Sequence, residues 1–387
     1  MQTAIVAGGG IAGLASGLAL ARRGWRVTVL EQAGGGEVGA GVAIPANGIT
    51  ALHALGLDQA AVDTLGTKTV GTGFQDLHGR WILRIPDERP DVAEVVAVWG
   101  VHRQRLHAVL LRAAQDAGAT LLTGRRVVAV APGSADGERA VVRADGPEGA
   151  LEADLVVGAD GMWSAVRRAL HPSVVPAYGG STSWRAVVED TTSDDRLIEM
   201  WGPGAEFGAM RISPDQVYWY GYVRHARSAR FDDELVAVRE RFDGWADPVS
   251  SLIDATDPAR LMRHDVFHLA GGLPSYVRGR VVLVGDAAHA GLPTMGQGAA
   301  TALEDAATLG RLVDPGNLRD ALVAFDADRR PRCRSIARQA ATMARIGAGL
   351  GDGWRQSVRN TLVRAVPGGA LARSGARLVA WEPPSQR

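Results

Sequence analysis

The sequence predicts an α/β fold in which a parallel-sheet, Rossmann-like nucleotide-binding domain is interrupted by a second, sheet-based domain. Three observations predict it. Gly8, Gly10 and Gly13 lie between the apolar run Ala4-Ile5-Val6-Ala7 and a helical stretch. About 270 residues later, Gly285-Asp286 is followed by a second glycine cluster, Gly296-Gln297-Gly298. Between them, residues 181–225 alternate as β-strands do. A dinucleotide held near both ends of a chain requires such an interruption.

Residues 3–7 read as a buried strand, 11–23 as a helix with Leu14, Leu18 and Ala21 on one side, and 26–30 as a second strand. Together they form a βαβ unit, with Gly24 ending the helix. Residues 34–41 read as a flexible loop, Asn47 to Leu55 as a short helix, and Val101 to Ala117 as a longer one. Strands follow at 120–122, 127–130 and 140–144, the last two joined by the polar turn 132–137. Residues 155–159 form a core strand that runs past Asp160-Gly161 into a helix from Ser164. After Pro172 come strands at 184–188, 197–200, 207–212 and 217–223, a helix at 232–243 and a strand at 263–269. At Arg280 the core pattern returns as Val281-Val282-Leu283-Val284, followed by helices at 298–312, 318–343 and 354–366 and a disordered end around Pro383. The expected domains are 1–172 with 270–345, 173–269, and a C-terminal helix and tail at 346–387.

Composition narrows the function. The chain has 387 residues, enough for one large or two ordinary domains, and is 46% hydrophobic and 22% charged, as globular proteins are. A net charge of zero gives no electrostatic reason to expect nucleic acid or a stable association with an anionic membrane. Cys333 is the only cysteine, so intramolecular disulfides and multi-cysteine metal sites are excluded. The histidines lack HxH or HExxH spacing, and no metal site is expected. Residues 1–3 carry no basic n-region, and no run reaches 18 apolar residues, so a cytoplasmic protein, monomer or homodimer, is expected.

The fingerprint has the spacing a dinucleotide requires. Gly8 permits the tight turn, Gly10 lets the backbone approach a pyrophosphate, and Gly13 lets helix and strand pack closely. The pyrophosphate then faces free N–H groups at Ile11 and Ala12. Glu31 ends the second strand, where its carboxylate can accept from an adenosine ribose. Asp286 follows a buried strand, where a carboxylate can bind a polyol hydroxyl. The helix from Gly298 aims the N–H groups of residues such as Ala299 toward negative charge. These features alone leave NAD and FAD open.

Five segments together resemble the class A, single-component flavoprotein aromatic hydroxylases, the group of para-hydroxybenzoate and salicylate hydroxylases. They are Gly8 to Glu31; Gly39-Ala40-Gly41-Val42-Ala43-Ile44-Pro45-Ala46-Asn47; Val101 to Leu106; Asp154 to Arg168; and Gly285-Asp286 through His289, Pro293 and Gly296-Gln297-Gly298 to Glu304-Asp305. The resemblance implies an FAD-binding domain of the GR2 type. It places Gly41 and Val42 beside the flavin, Arg103 and Asp160 in contact with FAD, and Asp286 on its ribityl side. It sets Pro293, Gly296, Gln297, Gly298 and Ala299 near the ring, and gives His289, Glu304 and Asp305 structural roles. Gln32 departs from the arginine many relatives have after the glutamate.

The resemblance further implies a monooxygenase that reduces FAD with NADH or NADPH, reacts with O2 and hydroxylates an aromatic or phenolic small molecule through a flavin C4a-hydroperoxide. The alternative is an epoxidase or tailoring oxygenase acting on a polycyclic natural product or antibiotic, and a non-catalytic flavoprotein stands behind both. A flavin-dependent halogenase would carry a WxWxIP stretch, which is absent. For the substrate, Tyr218, Tyr220 and Tyr222 share one face of a strand and either line an aromatic pocket or simply pack the sheet. Arg185 either pairs with a substrate carboxylate or is a solvated strand residue. Pro293 shapes the pocket.

Overall fold

The computed structural model describes residues 1–34, 39–86, 90–146, 149–191, 193–351, 353–366 and 375–385. Residues 35–38 of the expected glycine-rich loop lie outside them. The apolar runs rich in β-branched residues build a parallel core sheet with both faces covered. Thr3–Ala7 lies between Leu155–Gly158 and Arg26–Leu30, parallel to both. The sheet extends to Thr120–Leu122 on one side and to Val281–Leu283, then antiparallel Val277–Arg278, on the other. The helix Ile11–Arg22 is buried almost all round rather than on one side only. The helix Gly298–Leu312 covers it so closely that an added Cβ at Gly310 would lie 2.9 Å from the Ala19 Cβ. Leu14 and Leu18 between these layers each contribute roughly 1.5–3 kcal/mol by leaving water.

A ten-stranded sheet forms the second layer. Met262–His268, Ala177–Glu189, Gln216–Arg224, Ala205–Ser213 and Arg196–Gly202 run side by side, antiparallel. This sheet draws on more of the chain than residues 173–269. Arg196 and Leu197 pair in parallel with Val70 and Gly71, which brings in Gly66–Gly71, Ala97–His102 and Gly41–Pro45. Gly41 therefore starts a strand instead of ending a loop. Val101 and His102 are likewise strand; the helix begins at Arg103, where the His102 ring accepts the Gln104 N–H and caps it.

Alternation divides the large sheet's two faces. Trp184, Phe207 and Trp219 point one way, into a core closed by the helices Glu234–Arg241 and Val249–Asp254. Tyr218 and Tyr220 point the other way, toward Ala40 and Ala43. At the C-terminus the expected disordered end does not hold. Trp381 is buried, with its ring 6.0 Å from the Arg329 guanidinium, because a large aromatic gains more from the core than from water.

Candidate functional site

The fingerprint is a tight backbone crossing. Gly8 has φ +103°, and a Cβ there would meet the Ala159 carbonyl at 2.4 Å. A Cβ at Gly13 would lie 1.9 Å from the Gly8 carbonyl oxygen. Gly10 is different, since a Cβ there meets nothing within 4 Å. It is also the N-cap of Ile11–Arg22 and supplies no side-chain cap for the first N–H groups of that helix. Glu31 folds back on this turn, with Oε2 accepting the Gly9 N–H at 2.6 Å and Oε1 the Ala33 N–H at 2.7 Å.

The distant second cluster reaches the same place. A Cβ at Gly285 would lie 2.7 Å from the Ala12 Cβ and 3.5 Å from the Ala302 Cβ, so the two distant glycine segments meet at one point. Asp286 is exposed at the start of the short helix Asp286–His289, and among the described residues no donor reaches its carboxylate. Gly298 opens the 15-residue helix Gly298–Leu312, also without a side-chain cap, and a Cβ on it would meet open space. Two uncapped helix N-termini, two glycines facing empty space and one free carboxylate suit a dinucleotide carrying phosphates and a polyol.

Other predicted residues have partners within the protein. Asp160 caps the helix Ala165–Leu170, accepting from the Ser164 hydroxyl and from the Ala165 and Val166 N–H groups. The Pro293 carbonyl accepts the Gly296 N–H in a turn, and the Pro293 ring is exposed. Gly296 then lies against strand Gly41–Pro45, its would-be Cβ 3.3 Å from the Ala43 Cβ. Gln297 is buried, its Oε1 accepting from Asn47 Nδ2 at 2.9 Å. Val42 and Ala299 are half-buried beside these segments.

A buried network holds the second cluster in place. Asp305 accepts from the Gly285 N–H, from His289 and from Arg329, while Glu304 is bracketed by Asn47, Arg329 and Arg332. Burial alone would lower the His289 pKa, but the Asp305 carboxylate outweighs it and holds the imidazole well above its usual value. Arg167 is a residue that sequence reasoning left without a role. Its buried guanidinium donates to the Ala287 carbonyl at 3.1 Å and the Met162 carbonyl at 2.5 Å, tying the Asp160 turn to the Asp286 turn.

The tyrosine strand meets these turns edge-on. A Cβ at Gly41 would lie 2.2 Å from the Tyr218 ring, and Arg185 stands directly across from Tyr220. Arg185 donates to His264 at 3.0 Å and hydrogen-bonds Tyr218. Burial, then the neighbouring Arg185 and Arg103 charges, lower the His264 pKa, so Arg103 also faces this cluster. The Tyr220 hydroxyl donates to Glu199 Oε1 at 2.8 Å, and Tyr222 stands opposite Glu206. Burial raises the Glu199 carboxyl to about 7 against the pull of Tyr220. It raises Glu206 to about 8, although the Ala348 N–H donates to it. Sequence reasoning missed both glutamates. For Glu199 the row Leu197-Glu199-Trp201 shows a carboxylate among apolar residues of one strand face, but not which strand lies opposite it.

Comparison with known proteins agrees with this geometry. The model of a family described as an FAD binding domain matches residues 1–340. The chain is 36% identical over 352 residues to the aurachin C monooxygenase/isomerase of Stigmatella aurantiaca, covering 89% of each chain. It is 34% identical over 386 residues to the 2-heptyl-3-hydroxy-4(1H)-quinolone synthase of Pseudomonas aeruginosa, covering 97% of each. Among solved structures, Klebsiella pneumoniae HpxO complexed with FAD and uric acid superposes with a TM-score of 0.85 at 25% identity, over 98% of this chain and 96% of that one.

Proposed function

This chain belongs to the class A FAD-dependent monooxygenases, and from that premise we propose that it inserts one oxygen atom into a fused heteroaromatic ring of the quinolone type, using NADH or NADPH. The observation that carries the reading is that Gly285 packs on Ala12, joining the two glycine turns, while Gly296 of the second turn lies against Ala43 of a large-sheet strand whose Gly41 packs on Tyr218. Two relatives whose names specify monooxygenation or a quinolone product support the ring class. FAD, when bound, would supply the activation of O2, one atom of which is inserted, with NADH or NADPH as its reductant.

The chain's own residues do the rest. Gly10, Ile11 and Ala12 receive the pyrophosphate, Asp286 a polyol hydroxyl, and the N–H groups at Gly298 and Ala299 the negative edge of the flavin. Tyr218, packed on Gly41, excludes water from the ring's surroundings, and Arg185 and Tyr220 orient the substrate from across the cleft. The test is reconstitution with FAD, followed by NADH and NADPH oxidation with 4(1H)-quinolones, phenols and benzoates. The expected result is quinolone-stimulated oxidation with a product heavier by one oxygen atom. Oxidation that no ring compound stimulates, with no oxygenated product, overturns the reading. A recovered epoxide in place of a hydroxylated ring replaces it with the epoxidase alternative.

A further inference from the structure

Resting on the heteroaromatic reading above, we propose that Glu199 accepts the substrate's ring proton through the Tyr220 hydroxyl, so that the enzyme selects rings able to lose an N–H or O–H proton there. The geometry is specific. Glu199 pairs with Gly208 on the next strand, and Gly208 pairs with Tyr220 on the strand after it. All three share one face of the sheet. The missing side chain at Gly208 is what lets the tyrosine cross, since a Cβ there would lie 2.2 Å from Tyr220 Cζ. The ring lies over the glycine and delivers its hydroxyl to Glu199 Oε1 at 2.8 Å. Both residues are half-buried.

The charged and titratable neighbours favour the same direction of transfer. Arg185 stands across the ladder from Tyr220, with His264 and Tyr218 on its guanidinium. Glu206 and Tyr222 lie one register step away, with Arg359 near Glu206. In the step, the substrate's X–H proton passes to Tyr220 Oη as the tyrosine's own proton passes to Glu199 Oε1. The X–H electron pair stays on the ring, which becomes an electron-rich anion offset by Arg185, and Glu199 becomes neutral. A carboxyl titrating near 7 is matched to this exchange at neutral pH.

The test uses the FAD-loaded enzyme with a 4(1H)-quinolone and its N-methyl derivative, which has no ring proton to lose. With the quinolone, kcat/KM of the wild type rises with pH through a limb near 7, and the difference spectrum of the bound ring shows its anion. Glu199→Gln removes the limb and the anion spectrum, and lowers kcat/KM by about 10²–10⁴-fold, with FAD content unchanged. Glu199→Asp restores part of the limb, and Tyr220→Phe behaves as Glu199→Gln does. The N-methyl derivative shows no limb near 7 and no anion spectrum, with the wild type as with Glu199→Gln. A Glu199→Gln enzyme that keeps the limb and the anion spectrum overturns the proposal while leaving the oxygenase reading intact. A wild type that neither binds nor oxygenates any such ring removes both.

Discussion

An alanine methyl at Gly13 would sit 1.9 Å from the Gly8 carbonyl oxygen, whereas one at Gly10 would touch nothing. The two glycines therefore answer differently to the same substitution. Gly13→Ala destabilises the FAD-free protein by about 1–3 kcal/mol through overpacking, measurable by denaturant unfolding. Gly10→Ala costs less than about 1 kcal/mol but places its methyl at the proposed pyrophosphate site, and is expected to weaken FAD about tenfold, or ~1.4 kcal/mol, in a fluorescence titration. Equal effects of the two variants on stability would contradict this division. The glycines were legible in the sequence because each residue's identity reports a backbone constraint directly. Glu199, Glu206, Arg167 and His264 were not, because their meaning depends on which strand or turn lies opposite. That pairing is set by long-range register, which no local pattern encodes.

The element that holds the second glycine cluster is the helix Gly298–Leu312, fastened to Leu318–Ile346 by Arg329 between Glu304 and Asp305. Removing one partner of a buried ion network leaves charges unpaired. Arg329→Met accordingly lowers stability by about 3–5 kcal/mol, read from denaturant unfolding of the FAD-free protein. The sheet has its own pH dependence at Glu206, whose carboxyl rises from 4.5 to about 8 chiefly through burial. Between those values the unfolded chain has released the proton and the folded chain keeps it, so stability is full below 4.5 and falls as pH rises toward 8. Glu206→Gln removes a slope of roughly 1.4 kcal/mol per pH unit from the unfolding free energy across that window. Among the elements, the βαβ unit and the helices were read closely from periodicity. The strands at 41–45, 66–71 and 97–102 were not assigned to the large sheet, because a parallel partnership such as that of Arg196 with Val70 spans more than a hundred residues.

At the scale of the molecule, Gly285 packs on Ala12 and Ala302, and the proposed FAD site bridges these two distant segments of the chain. Loading FAD to a hundredfold excess over its Kd stabilises the fold by about 2.7 kcal/mol, seen as a rise in Tm. Hydrogen exchange slows together at residues 8–13 and 285–298. Protection of one segment without the other would show that the two do not share the ligand. The interrupted architecture was readable from the spacing of the glycine clusters, and the face carrying the substrate chemistry only in part, through its tyrosines and Arg185. The large sheet also bears on how this enzyme can be changed. Backbone hydrogen bonds hold its strands, and Trp184 and Trp219 anchor the reverse side, so the side chains toward the cleft are exchangeable without loosening the frame. A combinatorial library confined to Arg185, Glu199, Tyr220 and His264 would explore new substrates while the proposed FAD-holding turns at Gly8–Gly13 and Gly285–Gly298 are inherited unchanged.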